Sequence, residues 1–501
     1  IVWTSLIGVI LASLSLGCWL GGRLADKVLL HAGKKAPKGQ AAEARAKAFL
    51  LLSNLLTLAS VSVFITAALG SFAPALIRGL FTSLHLSTVA TALALFALPS
   101  ILCGMVSPYA VRLGITSSET SGAVIGRLNA LGTVGSIVGT FLGGFVLLSW
   151  FGAGSIFLGV AACLLATAAL VRLKPLLPKA VFALLLGAAM FGNASYGNWI
   201  AETGFNDRNI PITIETSYSS MRVVKGKHKE RDALYLLTDP GSAQSGMFTD
   251  DPDELIFDYT TFYGLGTAMN PEAKRILMLG GGGYSVPKWL LRGRSDLAGD
   301  DFSLDVVELD PGMTDVAARF FKAPVDDPRL RIFHEDARTF INRAAKAVRQ
   351  GSAERYDLIF ADIFNSWYTV PFHVGTREAA QNIHDLLSDD GIYVMNIITA
   401  VTGDNGRLLR SIRNAFAGVF GEAHIFPVQS RHNGGMVQNV MLLAFRDQRT
   451  LPDPEKDRVP PHIARMLANR WTSAFPPSEN DVPPLTDDFA PVERYTLGFL
   501  P

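Results

Sequence analysis

The sequence predicts two folds in one chain: a multi-span α-helical membrane domain, then an α/β Rossmann-like domain that opens with a small β-rich subdomain. Three observations predict it. The 501 residues are 49% hydrophobic with a mean hydropathy of +0.27, more apolar than a water-soluble chain of this length. Charged residues make up 18% and are scarce before residue 200 but ordinary in density after it. Beyond residue 270, short apolar runs of strand length end repeatedly in glycine or a carboxylate. The expected division is 1–200 membrane domain with about six helices, 201–270 β-rich subdomain, 271–450 nucleoside-binding domain, and 451–501 a Pro-rich tail.

The membrane elements follow from length. A helix needs about 20 apolar residues to cross the hydrocarbon core. Residues 1–22, 48–77 and 79–111 supply uncharged or nearly uncharged runs, with Pro74 and Pro108 as expected ends. The run 128–171 is long enough for two spans turning near 151–154, and 180–199 is the sixth. Positive charge gathers in 23–47 (Arg23, Lys27, Lys34, Lys35, Lys38, Arg45, Lys47) and in 172–179 (Arg172, Lys174, Lys179), which makes both segments cytoplasmic. Gly135, Gly139 and Gly143 put small residues on one helix face, a pattern suited to close helix packing. The stretch from Gly21 to Lys27 resembles a cytoplasmic loop of major-facilitator transporters. The membrane half therefore reads as an anchor, a lipid-side substrate vestibule or a degenerate transporter.

A net charge of +1 leaves no basic surplus for a polyanion, so nucleic acid is not an expected partner. Cys18, Cys103 and Cys163 all lie in apolar runs, leaving the polar half without a thiol for a disulfide, a zinc site or a nucleophile. His334 and His373 have no metal-ligand spacing and read as structural or surface residues; no metal is expected.

In the polar half, Arg275–Leu279 reads as a buried strand running into Gly280, Gly281, Gly282 and Gly283, where a backbone can approach a ligand closely. The next strand, 304–309, carries Glu308 near its end, placed to accept ribose hydroxyl protons. A third strand leads to Glu335 and Asp336, and a fourth, 356–361, ends at Asp362. Carboxylates at successive strand ends, with no Lys or Arg beside the glycines, suit a cationic adenosine derivative better than a phosphate.

Residues 214–450 resemble the spermidine synthase (polyamine aminopropyltransferase) family, and the whole chain resembles its membrane-fused bacterial branch. The resemblance is carried by Ser217-Tyr218, the stretch Leu237 to Gln244, Gly280-Gly281-Gly282, Val307-Glu308-Leu309-Asp310, Glu335-Asp336-Ala337-Arg338, Tyr356 to Asp362, Thr376-Arg377-Glu378, and the tail stretch Leu485 to Glu493. It implies a methyltransferase/spermidine synthase type of core and cleavage of the C–S bond of S-adenosylmethionine or its decarboxylated form, releasing methylthioadenosine. By position it implies that Gly280, Gly281 and Gly282 underlie the nucleoside, Glu308 holds the ribose, Asp336 and Ala337 hold the adenine edge, and Gln244 belongs to the same site. It makes Asp362 the catalytic carboxylate. The partners implied are the adenosyl sulfonium, an amine acceptor and membrane lipid, with a homodimer left open, in a multi-pass protein of a bacterial inner membrane. An alternative from another class is a nucleoside-binding transporter or sensor without catalysis.

Departures from the family pattern concern the acceptor. The Gly-Gly-Gly-Asp motif reads Gly280-Gly281-Gly282-Gly283, and Asp-Ser-Ser-Asp reads Asp362-Ile363-Phe364-Asn365. The Tyr-Gln pair reads Tyr218-Ser219, and Tyr-(His/Gln)-Glu reads Phe257-Asp258-Tyr259. A diamine is a dication, and its desolvation calls for paired carboxylates, two of which are missing. Putrescine is thus a poor fit, and intact S-adenosylmethionine opened by an amine, by water or by its own carboxylate is a second option. The acceptor-site candidates are Tyr218, Asn365, Trp367, and Asp487 and Asp488 if the tail folds over the pocket; Trp367 and Tyr368 would wall it off from water or stack on the sulfonium. Six crossings from an external start put the polar half outside, whereas the donor is made in the cytoplasm, so its side stays open.

Overall fold

The computed structural model describes residues 2–29, 38–70, 73–81, 84–115, 121–148, 151–191, 206, 211–216, 218–239, 242–293, 295–299, 301–363, 371–454, 457, 459–475 and 482–496. The chain divides into two compact units, residues 1–203 with 215–217, and residues 204–214 with 218–501.

The first unit is helical. Among the described residues, five of its helices are long and apolar enough to cross a membrane: Trp3–Leu29, Glu43–Leu69, His85–Gly114, Ser121–Leu147 and Ala153–Val171. Of the sixth expected span, 180–199, the described part is helical, within a helix over Leu176–Phe191, and residues 192–199 lie outside the described residues. Pro108 does not end its span. It lies inside the helix Leu98–Gly114, which apolar helices tolerate because neighbouring groups re-satisfy the freed carbonyl.

Close helix approach occurs at glycines other than the expected ones. A Cβ at Gly17 would stand 2.2 Å from the Ile101 carbonyl oxygen, at Gly21 2.4 Å from that of Met105, and at Gly104 2.7 Å from that of Leu14. The helices Val2–Leu29 and Leu98–Gly114 thus meet backbone to backbone. Gly135, Gly139 and Gly143, by contrast, have open space where a Cβ would be. Lys179 is buried and donates to Ser53 Oγ and to the carbonyls of Ala168 and Arg172, closing the end of the helix Ala153–Val171.

The second unit begins with a four-stranded sheet, β1 (Ile212–Glu215), β2 (Ser220–His228), β3 (Arg231–Asp239) and β4 (Ser242–Phe248), in sequential order. A seven-stranded sheet follows, built from β5 (Arg275–Leu279), β6 (Ser303–Glu308), β7 (Leu330–His334), β8 (Tyr356–Ala361), β9 (Leu387–Thr399), β10 (His424–Pro427) and β11 (Gln438–Phe445). Its order is β10-β11-β9-β8-β5-β6-β7, parallel from β9 to β7 and antiparallel at β11 and β10. The expected α/β fold is what forms. Its strands read as unbroken apolar runs because both faces are covered. Leu277, Leu279, Ile359, Ala361, Tyr393 and Met395 pack into one layer, and the alternate residues Ile276, Met278, Leu358, Phe360, Ile392 and Val394 into the other.

The chain leaves β5 for β6 and β7 on one side, then crosses back to β8 on the other. The switch point, where an open α/β sheet binds ligands, therefore lies between the ends of β5 and β8. The tail is also part of this unit: Leu485, Val492 and Tyr495 join the first of the two core layers.

Candidate active site

The loop after β5 is shaped by what touches it. Gly280 has φ +90°, and a Cβ there would lie 2.2 Å from the Asp362 carbonyl oxygen, so only glycine lets the β5 and β8 ends come this close. The junction is tied by Gly280 N–H donating to Val307 O and Asp362 N–H donating to Leu279 O, both at 2.8 Å. Tyr284 takes a left-handed φ of 57° and lies fully buried beneath Gly281; its hydroxyl meets Thr314 Oγ1 at 2.8 Å, which meets His334 Nε2 at 3.0 Å. His334 thus props the loop through two hydroxyls.

Glu308, at the end of β6, accepts the N–H groups of Gly281 (2.9 Å) and Gly282 (3.1 Å) on Oε2 and that of Asp310 (3.0 Å) on Oε1. It is joined to the glycine loop as one structure, with lone-pair capacity left on Oε1. From β4, Ser245 Oγ accepts the Gly283 N–H at 2.8 Å, which sets β4 against the loop. The neighbouring Gln244 has a buried Oε1 with no partner among the described residues. Such an orphaned acceptor is what a ligand donor satisfies.

Asp336 caps the helix Ala337–Arg349, its Oδ1 accepting the Thr339 N–H at 2.9 Å, while Oδ2 faces His373 Nε2 at 3.4 Å. Ala337 begins that helix. Asp362, at the end of β8, is partly exposed and accepts on both oxygens: Tyr259 OH donates to Oδ2 and Asn396 Nδ2 to Oδ1, each at 3.0 Å. Burial pushes its carboxyl above the ordinary carboxylate range, and the two donors oppose that rise. Burial and the Asp362 carboxylate also push the Tyr259 phenol well up, so it remains a donor.

The other acceptor-side candidates are dispersed. Tyr218 is 58% exposed, and the adjacent Ser219 Oγ donates to Asp310 Oδ2 at 3.3 Å near the β6 end. Asn365, Trp367 and Tyr368 lie outside the described residues. Asp487 accepts from Arg338 (2.6 Å) and Thr376 Oγ1 (2.7 Å), and its N–H donates to Glu378, so the tail is fastened beside Asp336 through Arg338. Asp488 is exposed. Among the described residues no group of three His, Cys, Asp or Glu side chains could hold a metal ion.

Sequence reasoning missed Tyr259, Asn396, Asn439 and Ser245. Tyr259 was aligned with a family glutamate, two places after the family tyrosine, yet its hydroxyl is the one on Asp362. A signal existed in its i, i+4 spacing to Tyr263, whose hydroxyl donates to Ala361 O at 2.8 Å. Asn396 was visible as a lone amide in the apolar run of β9.

The spermine/spermidine synthase domain matches residues 259–429, entirely within the polar half and spanning both Tyr259 and Asp362. A polyamine aminopropyltransferase of Vibrio vulnificus is 30% identical over 231 residues, covering 46% of this chain and 71% of that protein. The chain belongs to the spermine/spermidine synthase family. This is a family of transferases. The chain spans 46% of an Agathobacter rectalis polyamine aminopropyltransferase (33% identical over 151 residues, 29% of this chain). A solved structure of a probable spermidine synthase from Corynebacterium glutamicum is similar at 19% identity and a TM-score of 0.44, over 56% of this chain and 98% of that one.

Proposed function

We propose that this chain is a membrane-bound enzyme that transfers an aminopropyl-type group from an adenosyl sulfonium to an amine, with Asp362 as the base. The observation that supports it most is the position of Asp362: at the switch point, against the glycine loop, partly exposed, and held on both oxygens by neutral donors. An alkylammonium has a pKa near 10 and is no nucleophile until it loses a proton. Asp362 accepts that proton first, and the freed lone pair of the amine then attacks the aminopropyl-type carbon next to sulfur, leaving the new nitrogen as a secondary ammonium. The C–N bond forms, the C–S bond breaks, and its electron pair returns to sulfur, converting the sulfonium into neutral methylthioadenosine. Glu308 and the glycine loop hold the ribose, Asp336 and Ala337 the adenine edge, and Gln244 supplies a polar contact to the donor. No metal takes part in this scheme.

The acceptor half carries less negative charge than the family pattern, through Gly283 and Asn365, so the preferred acceptor has a lower positive charge than a diamine. A second reading, opening of S-adenosylmethionine without an amine, draws on Gly283 itself. A Cβ there would lie 2.7 Å from Ser245 Cβ, so the loop is packed for the absence of a carboxylate and does not repel that of the donor. Mass spectrometry after incubation with the decarboxylated donor and monoamines or diamines tests the main reading. Aminopropylated monoamine in excess of spermidine is expected; nucleoside release without any aminopropylated product favours the second reading.

The five long helices also support a sidedness. Four crossings separate segment 23–47 from 172–179, which puts both Lys/Arg-rich segments on one face, as charge bias requires. If the segment that contains Leu176–Phe191 lies in the interface rather than across the membrane, the polar half is on that same cytoplasmic face, where its donor is made.

A further inference from the structure

Asp362 is the end of a chain of amides running across the sheet. Asn396 on β9 is 2% exposed and donates to Asp362 Oδ1 at 3.0 Å; Asn439 on β11 donates from Nδ2 to Asn396 Oδ1, also at 3.0 Å. Asn396 is opposite Met441 in the β9–β11 ladder, which makes Asn439 its diagonal neighbour on the same face. That face is otherwise filled by buried Ile392, Val394, Met441 and Leu443. Asn396 is buried in this apolar layer, where an unpaired amide is costly, and the half-buried Asn439 is the neighbour that satisfies its oxygen.

The polarity of the chain follows from chemistry. An ionised carboxylate only accepts, so Asn396 must present its NH2 to Asp362 and its oxygen to the far side. That oxygen needs a donor, and Asn439 supplies it. We propose that Asn439, which does not touch Asp362, is a positioning residue for the transfer reaction: it locks the Asn396 amide so that an N–H always points at the Asp362 carboxylate. Asp362 is then held in one orientation and kept ready to accept the proton of the amine. The inference rests on the reading of Asp362 as the base. The other groups facing Asp362 are the phenols of Tyr259 and Tyr263 and the Gly280 backbone; among the described residues no Lys, Arg or His is bonded to it.

The test uses the full chain in lipid nanodiscs and compares Asn439→Asp with Asn439→Ala. Asp is nearly the same size as Asn but accepts only. It draws the Asn396 NH2 toward itself, turns the Asn396 oxygen onto Asp362, and forces Asp362 to keep its proton. Nucleoside release is followed against pH, and the Asp362 carboxyl stretch is titrated by difference infrared spectroscopy, assigned with Asp362→Asn. For Asn439→Asp, a fall in kcat at pH 7 of roughly tenfold or more is expected. The carboxyl should hold its proton to a pH about one unit higher, and the donor KM should stay within about twofold. Asn439→Ala should be milder on each count. A packing role gives the reverse order, with Ala worse than Asp and the infrared titration the same in all three proteins; that result overturns the proposal. If the parent protein releases no nucleoside, the reading of the activity fails, while the infrared titration still decides whether Asn439 governs Asp362.

Discussion

Restoring the family carboxylate at position 283 should damage the protein and fail to restore diamine transfer. In Gly283→Asp the new Cβ meets Ser245 Cβ at 2.7 Å and Ser245 Oγ at 3.1 Å. Rotating the serine moves only the oxygen, since Cβ is fixed to the β4 backbone, so either the strand or the loop must shift. Shifting also strains the 2.8 Å hydrogen bond from Gly283 N–H to Ser245 Oγ. Overpacking of this kind costs about 1–3 kcal/mol, and a carboxylate in a buried position without a partner adds to it. At roughly 2–4 °C per kcal/mol, the melting temperature should fall by about 2–12 °C. Thermal unfolding by intrinsic fluorescence measures this, with Ser245→Gly as the second arm of a double-mutant cycle. Removing the serine side chain should return at least about 1 kcal/mol of the loss as a coupling term. If Gly283→Asp melts with the parent protein and shows no coupling to Ser245, the packing account of this loop is wrong.

Two further outcomes follow from the same geometry. Burial raises the Asp362 carboxyl above its unfolded value of about 3.9, so the unfolded chain gives up this proton at a lower pH than the folded one. Asp362 therefore costs stability as pH rises through that range, and Asp362→Asn should raise the melting temperature at pH 7 and leave it nearly unchanged at pH 3. An equal effect at both pH values would contradict the assigned cause. On the proposed sidedness, a reporter fused after Pro501 should be active only in its cytoplasmic form; external activity would show that the segment containing Leu176–Phe191 crosses as well.

The parts of this molecule legible in the sequence are those with local causes. Apolar runs such as Arg275–Leu279 and Tyr356–Ala361 announce strands buried on both faces, and a glycine or carboxylate after each marks the sheet edge where ligands bind. Asp362 was readable for that reason. Tyr259 was not, because a two-residue ambiguity in a motif decides which side chain reaches Asp362, and only the helix Asp258–Thr261 resolves it. The Asn396–Asn439 pair depends on two strands brought side by side by a helix and a third strand, a relation that no window of sequence contains. The helical half shows the same limit. Gly135, Gly139 and Gly143 carry the regular pattern, yet the helices meet at Gly17, Gly21 and Gly104, whose partners Ile101, Met105 and Leu14 lie far away in the chain.

The most direct test of the central claim is nucleoside release by the purified full chain. The protein is incubated with decarboxylated S-adenosylmethionine and with S-adenosylmethionine, with and without an amine, beside Asp362→Asn, and methylthioadenosine is followed by chromatography. The account expects amine-dependent release that falls by about 10²-fold or more in Asp362→Asn, the scale of a lost general base. Release that is equal in the two proteins, or absent with every donor and amine while the nucleoside still binds, would contradict it.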